Sequence, residues 1–599
     1  MGSRFAQQFA NFALSKSNTR MYKLTTNTER PFPLAEKLME STFEQTISDF
    51  HHSFRASPDF RAPAFELCST LILSVESIEH LCRSGLLTRS NRLKILKLSS
   101  SFDEEYLLNK FTKEIRNWFN VNPRNKTDKS LILHLQIHRS APIGDDFEIV
   151  TFLKNTKDLN VKFDLSLQLV RADDLFKGIN TLLTQWHEKF NGSLIFVGDM
   201  SKELYDSPTF TQFIDTVSSL KIKTFDLFCP HGRDVGFYSI DGLFQYSVST
   251  VVNLELQCVS ISNLQNMPSL KRLFLNLCKL IGNDVLSGIC EFCDELTLYG
   301  CQYEYDDNAD SITLPTSIRL LDISENFEGT EEVSDLPKFS NLGKLQRLRT
   351  VKVAMLTHDI IATDEETRMY GISRLERFVA QLPSTVESLF LKAYKSIRHN
   401  NAFFHPEKLR FDNLPQLHVL FLLIDSNPLS TIPFNFSNVP NSLQKLTIDM
   451  PSLFSGKLPK SLQSIDINTR ACEKFKEYET FADFWNEWIA PLENLLYFRA
   501  TNEHIPTIDS GALEFPPNLQ VFDIISSSFE KISLVDGLPN SILAFTAQRD
   551  ESKFYDVDFK LVPVFVCNEL QLEELKKQIN FIHSSPPWYE FIFREKKQK

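Results

Sequence analysis

A chain of 599 residues with a formal net charge of −12, 51 phenylalanines and 18 glycines has the composition of a folded protein, able to bury several ordinary cores or one long repeat array. The charge works against nucleic acid and anionic membranes, and scarce glycine works against glycine-rich cofactor loops. No window approaches the ~18 apolar residues of a membrane span, and the ten cysteines form no regular framework, which fits a reducing compartment, cytoplasmic or nuclear.

Up to Thr28 the chain carries Arg4, Lys16, Arg20 and Lys23 and no acid, with Phe5, Phe9 and Phe12 on one helical face. An amphipathic cap helix and a mitochondrial presequence both fit that pattern. From Pro31 to Leu98 the period is mostly helical, through Leu34, Leu38, Phe43 and Ile47 and then Ile78, Leu81 and Cys82. Residues 1–90 are therefore expected to form a helical N-terminal cap. Phe32-Pro33-Leu34-Ala35-Glu36-Lys37-Leu38 loosely resembles the opening of an F-box, and Val75 to Cys82 its later helix. That resemblance implies docking onto the adaptor subunit of a ubiquitin ligase; a plain helical cap over the first coil is the other reading.

Strand anchors follow at Leu96, Leu133, Phe163, Leu194, Phe225 and Leu254, the last four intervals being 30, 31, 31 and 29 residues. Helices are predicted between them, most clearly over Asp173–Phe190 and over Thr209–Leu220, the latter opened by Ser207-Pro208. The stretch Leu273–Asn326 then reads LFLNLC, LTLYGC and LDISEN, with Leu273, Leu296 and Leu321 spaced 23 and 25 residues apart. In such a period each repeat supplies a short strand and a return path, and Cys278, Cys301 and Asn326 are expected to turn inward and hydrogen-bond the next coil's backbone.

In the second half an apolar-Pro pair announces each strand: Leu314-Pro315, Leu382-Pro383, Val439-Pro440, Leu458-Pro459, Phe515-Pro516 and Leu538-Pro539, each with its anchor seven residues after the apolar residue. The proline holds the return path extended and blocks helix before it. These residues resemble the leucine-rich-repeat families expanded in yeasts and other fungi, over residues 250–548 by motif and over earlier repeats by period. The resemblance implies an α/β fold, a leucine-rich-repeat solenoid whose curved parallel sheet backs onto a helical or irregular convex side, and a binding role without catalytic residues. Residues 91–565 are expected to form that solenoid without a break, and 566–599 a closing helix and basic tail.

Insertions are expected at Thr357–Leu382, with a helix through Leu375, Phe378 and Val379, and at Cys472–Leu495, where Phe475, Tyr478, Phe481, Phe484, Trp485 and Trp488 keep near-helical spacing. The second is either an apolar helix packed on the convex side or an exposed docking patch. Cys290 and Cys293 have metal-like spacing with Cys278 and Cys301 nearby, but the latter two already have inward roles, so no zinc, other metal or cofactor is expected. His51 and His52 have no partner at helical spacing, and no nucleophile turn occurs, so no enzyme activity is expected.

What remains is the concave face. Between two inward anchors the middle residue of each strand points away from the core. Those positions include Asp164, Asp226, Glu255, Phe274, Asp322, Lys352, Phe390, Phe421, Asp466, Tyr497 and Asp523. Aspartate is disfavoured in strands and wet aromatics are costly. The expectation is a partner-binding face that takes a basic protein with apolar anchors, as a scaffold or as the substrate-recognition subunit of a ubiquitin ligase. Two other readings stay open: a GTPase-activator-like regulator and a mitochondrial repeat protein.

Overall fold

Strand after strand in this chain alternates buried and half-buried residues, and each pairs in parallel with its neighbours in sequence. The computed structural model describes residues 70–74, 94–101, 109–120, 128–137, 148–168, 172–198, 207–229, 238–240, 250–264, 267–287, 292–306, 311–324, 338–357, 378–395, 409–424, 434–449, 454–468, 481–501, 507–509, 511–525, 531–533 and 544–548, with a few isolated positions besides. The architecture is α/β, with a long parallel sheet and few helices. Described residues up to Pro315 form one compact unit and those from Thr316 a second.

In the first unit the strands are β1 (Thr70–Ser74), β2 (Ile95–Ser101), β3 (Ser130–Ile137), β4 (Val161–Gln168), β5 (Phe190–Val197), β6 (Thr224–Phe228), β7 (Asn253–Gln257), β8 (Arg272–Asn276) and β9 (Glu295–Tyr299). They pair in that order, all parallel. The sheet therefore begins earlier than Leu96, because TLILS at β1 is a strand inside a stretch whose period reads as helix. A run of five residues that short does not separate the two by periodicity. The other expectations for residues 1–90, the cap helices, the F-box-like opening and the histidine pair, lie outside the described residues.

Parallel strands need a crossover. Helices α1 (Thr112–Asn120), α2 (Glu148–Asn155), α3 (Ala172–Trp186) and α4 (Pro208–Ser219) supply it between β2 and β6, α3 and α4 close to the predicted spans. Their apolar stripes are buried, as Ile115, Trp118, Phe119, Phe152, Leu182 and Phe213 show. Lys129, just before β3, is buried and donates from Nζ to the Trp118 carbonyl near the end of α1 at 2.6 Å, satisfying one of that helix's last carbonyls. Burial pushes its pKa down. After β6 the described residues add a second, smaller parallel sheet of Tyr238–Ser239, Val259–Ile261, Lys279–Ile281 and Gln302–Glu304.

The second unit continues with β10 (Leu320–Ser324), β11 (Thr350–Thr357), β12 (Ser388–Lys395), β13 (Val419–Ile424), β14 (Lys445–Asp449), β15 (Ser464–Asn468), β16 (Tyr497–Thr501), β17 (Val521–Ile525) and β18 (Ala544–Gln548), again parallel and in order. The apolar-Pro wording has a mechanical meaning here. Pro383, Pro440, Pro459 and Pro516 each accept, at their carbonyl, the N–H three residues on, from Val386, Leu443, Leu462 and Leu519. The side chain before that apolar residue reaches the preceding coil: Thr385 Oγ1 donates to Leu348 O, Ser442 Oγ to Leu417 O, Ser461 Oγ to Leu443 O and Asn518 Nδ2 to Glu493 O. A polar group at the edge of an apolar core is thereby satisfied.

One backbone feature sets the register of both units. A single carbonyl accepts the two N–H groups that open the next strand: Lys223 O from Val252 and Asn253, Val252 O from Lys271 and Arg272, His418 O from Gln444 and Lys445, and Gln463 O from Leu496 and Tyr497. Inward residues then stack in columns, such as Leu254, Leu273 and Leu296 in the first unit and Leu389, Leu420, Leu446 and Ile465 in the second, each at most 1% exposed. Cys278 and Cys301 are buried free thiols. They donate to Leu256 O and Leu275 O, which lie on the preceding coil rather than the next. Burial raises both pKa values, that of Cys301 to about 12, so these thiols are poor nucleophiles. Asn326 lies outside the described residues, as does the expected closing helix.

Candidate partner-binding face

The middle positions of β5 to β9 form one row across the first unit. Register places Ile195 beside Asp226, Asp226 beside Glu255, Glu255 beside Phe274, and Phe274 beside Thr297. All five are half-buried, while the residues flanking them along each strand are buried. Asp226, Glu255 and Phe274 therefore share the outward face, as the alternation requires. Neighbouring carboxylates repel, and burial together with Glu255 pushes the Asp226 pKa up to about 6. Glu255 Oε1 accepts from Gln257 Nε2 at 2.6 Å, and Gln257 Oε1 accepts from Asn276 Nδ2 at 3.1 Å. Among the described residues no lysine or arginine pairs with either acid.

Asp164 is not part of that row. The ladder slips between Phe163 and Leu165, and Asp164 fills the irregularity, Oδ1 accepting from Ser193 N at 2.9 Å and Oδ2 from Asn191 Nδ2 at 3.1 Å. At 8% exposure its carboxylate is internal, satisfying a strand N–H that the bulge takes off the ladder. The residue beside Ile195 is Ser166.

In the second unit the middle row runs Asp322, Lys352, Phe390, Phe421, Thr447, Asp466, Arg499 and Asp523. Tyr497 does not occupy it. Its amide is one of the pair that opens β16, so it stands beside Ser464 and Val521, two residues before the middle position. It is 5% exposed, and burial with Asp523 and Asp466 nearby pushes its pKa up. The middle position belongs to Arg499, between Asp466 and Asp523. Burial works against the Arg499 charge, but Asp523, Asp466 and Tyr497 together more than offset it and hold its pKa above the ordinary value. Arg499 Nε lies 3.5 Å from Asp523 Oδ2, an ion-pair distance that leaves Nε without a hydrogen-bond acceptor.

Asp322 also meets a cation, Lys352 Nζ at 3.7 Å. Burial raises its pKa, and Lys352 and Lys392 work in the opposite direction. Phe390 and Phe421 stand side by side with ring centroids 6.1 Å apart, Lys352 Nζ 6.0 Å from the first ring and Lys392 Nζ 5.8 Å from the second. Both rings are half-buried on the outward face. Asp322 and Asp523 are thus partnered by cations on adjacent strands, whereas Asp226 and Glu255 are not.

Strand β13 carries what the middle-row reading missed. Its sequence VLFLLI has no polar residue: Leu420 and Leu422 are buried inward, and Val419, Phe421 and Leu423 lie half-buried outward. An uninterrupted apolar strand is the pattern of a sheet covered on both faces, and that signal was visible in the residues alone. Phe228 and Tyr299, one row further along β6 and β9, were missed in the same way.

The described part of the aromatic insertion, from Phe481 on, is internal; Phe475 and Tyr478 lie outside the described residues. Phe481, Phe484, Trp485 and Trp488 lie on α5 (Phe481–Trp488), buried to 9% exposure or less, and Trp485 packs on Phe498 and Phe522. Leu375, Phe378 and Val379 of the other insertion are buried as well. Among the described residues no group of histidine, cysteine, aspartate or glutamate is arranged to hold a metal ion, and no helix is long and apolar enough to cross a membrane. Cys290 lies outside the described residues; Cys293 is buried, and its thiol donates to the Glu295 carbonyl at 3.6 Å.

Replacing Asp226 by Asn tests its burial beside Glu255. Its folded pKa of about 6 lies above the unfolded carboxylate value of about 3.9, so between those values the folded state holds the extra proton and stability falls as pH rises. D226N is expected to raise the melting temperature at pH 7 and to flatten its decline between pH 4 and 6. An unchanged pH profile would mean that Asp226 is neither withdrawn from water nor crowded by Glu255 as the structure places it.

No known protein family matches the chain, and no curated protein matches it.

Proposed function

We propose that this chain is a protein-binding scaffold of the leucine-rich-repeat type, with no catalytic site, which holds its partner on the outward face of the second unit's sheet around β12 to β14. The observation that carries this reading is β13, apolar on both faces, with Phe390 beside Phe421 and with Val419 and Leu423 adjoining. Apolar area of this kind on a sheet face favours association at roughly 25 cal/mol per Å² removed from water, and adjacent aromatic rings are the usual anchors of such an interface. Lys352 and Lys392, lying against the two rings, supply the charged rim. The scaffold reading needs only this face. Its extension to a ubiquitin-ligase adaptor would use residues 1–90, and its compartment, cytoplasmic or nuclear, rests on composition.

A photo-crosslinking amino acid at position 421, compared with one at exposed Glu493, tests it in the cell of origin. A discrete crosslinked protein is expected from position 421 alone, and F390A with L423S should abolish it while leaving the melting temperature within a few degrees. Equal crosslinking from both positions, or capture that survives the double substitution, would end the proposal.

A further inference from the structure

The first unit carries a second outward surface of different chemistry. Rows β5 to β9 present Ile195 and Phe274 on the middle row and Phe228 and Tyr299 on the row beyond, all half-buried. Asp226 and Glu255 sit in register between Ile195 and Phe274. The polar side chains of this area are acceptors in excess. Gln257 and Asn276 spend their amide donors along the ladder that ends on Glu255, and Asn276 Oδ1 is buried with no donor of its own. Arg272, one row before, is held by Glu295 at 2.9 Å. Two adjacent carboxylates that share one amide donor and no described cation, beside an unfilled carbonyl oxygen, are bordered by aromatic and aliphatic side chains.

We infer that this face of the first unit docks a basic segment of a partner protein, one Lys or Arg side chain lying between Asp226 and Glu255 and neighbouring apolar side chains resting on Phe274 and Phe228. The commitment to a basic peptide comes from charge complementarity. A cation between the acids removes the repulsion between them and is itself attracted to flanking aromatic faces. Nucleic acid and acidic peptides meet the wrong sign of potential. The inference is independent of the face proposed on β12 to β14 and stands or falls on other residues.

Protonation supplies a signature. Asp226 faces Glu255 on β7, uncharged Ser193, Ile195 and Val197 on β5, and Thr224 and Phe228 on its own strand. With its pKa near 6, binding of a cation should expel the proton that Asp226 partly holds, so affinity falls as pH drops through 6, earlier than an ordinary carboxylate requires.

The experiment is fluorescence anisotropy of the full chain with a labelled peptide of alternating arginine and leucine, run beside its glutamate-for-arginine counterpart. One-to-one binding of the basic peptide is expected, weakened tenfold or more by D226N with E255Q, weakened again at pH 5, and unchanged by F390A with F421A. Substituting exposed acids elsewhere, Asp158→Asn with Glu493→Gln, should change affinity less than twofold. Equal losses from that control pair would reduce the binding to the net charge of the chain and overturn the site. Binding unaffected by D226N and E255Q, or absent at millimolar peptide, overturns it also. Binding that appears only after removal of residues 1–28, the chain's own acid-free basic stretch, would give the face to that segment and overturn the partner assignment.

Discussion

Leu446→Asp is expected to lower the unfolding free energy by about 4 kcal/mol or more, while Thr447→Asp, one residue on, costs about 1 kcal/mol or less. Leu446 is fully buried in β14, between Leu420 of β13 and Ile465 of β15. The substitution forfeits the burial of a leucine, roughly 2 to 3 kcal/mol, and places a carboxyl where no donor can reach it. Thr447 faces outward beside Phe421 and Asp466, so an aspartate there meets water and one like charge. Because stacked repeats unfold in coupled stages, hydrogen exchange across β13 to β15 is the measurement, supported by a urea titration. Protection should vanish in L446D and persist in T447D. Equal effects from the two would mean that the faces of β14 are assigned the wrong way round, and the outward row of the second unit would fail with them.

That contrast depends on parity, and parity is what the residues alone convey best. A strand repeats every two residues, so an error of two in the start of a strand keeps every side chain on its face. Leu96 and Leu133 illustrate the point. Read as equivalent anchors, they are offset by two: Leu96 pairs with Leu131, and Leu133 with Leu98. Both are nevertheless buried. Strand order was equally legible, because a short return path lets a strand reach only its neighbour.

Position along the strand was not legible, and the two misplaced residues show why. In LLYFRA any of three frames supplies an apolar pair, and the true inward pair is Phe498 and Ala500. Alanine is a poor signal of an anchor, so Tyr497 took the place that belongs to Arg499. Asp164 was displaced by a bulge, whose only trace in sequence is Asn191-Gly192-Ser193 near the start of β5. Gly192 there has a φ of +108°, a backbone that suits glycine. Cross-strand pairing was invisible as well, since it requires both registers at once. The residues showed acids and aromatics on one face, but not that Asp322 and Asp523 are met by Lys352 and Arg499 while Asp226 and Glu255 meet each other. The difference between a neutralised row and a cation-seeking pair is thus a tertiary property.

Trp485→Ala is expected to cost about 4 kcal/mol and to release α5. The indole is fully buried, with ring centroids 4.9 Å from Phe498 and 4.8 Å from Phe522, and with Phe481 and Phe515 at 5.9 and 5.7 Å. Its Nε1 donates to the Glu514 carbonyl at 2.7 Å, tying the helix to the path that leads into β17. An eight-residue helix is marginal on its own, so packing of this aromatic stripe is what keeps α5 folded. Trp485→Phe retains most of the packing and leaves the Glu514 oxygen unpaired, for an expected loss of about 2 kcal/mol. Asn486→Ala removes the bonds to Ala512 O and from Glu514 N on the exposed side, for about 1 kcal/mol. Amide exchange over residues 481–488 should rise in the order N486A, W485F, W485A, with β10 to β13 unaffected. If W485A instead left the helix protected, the stripe would not be anchoring it, and a docking role for these aromatics, in place of Phe390 and Phe421, would become the better account of the second unit.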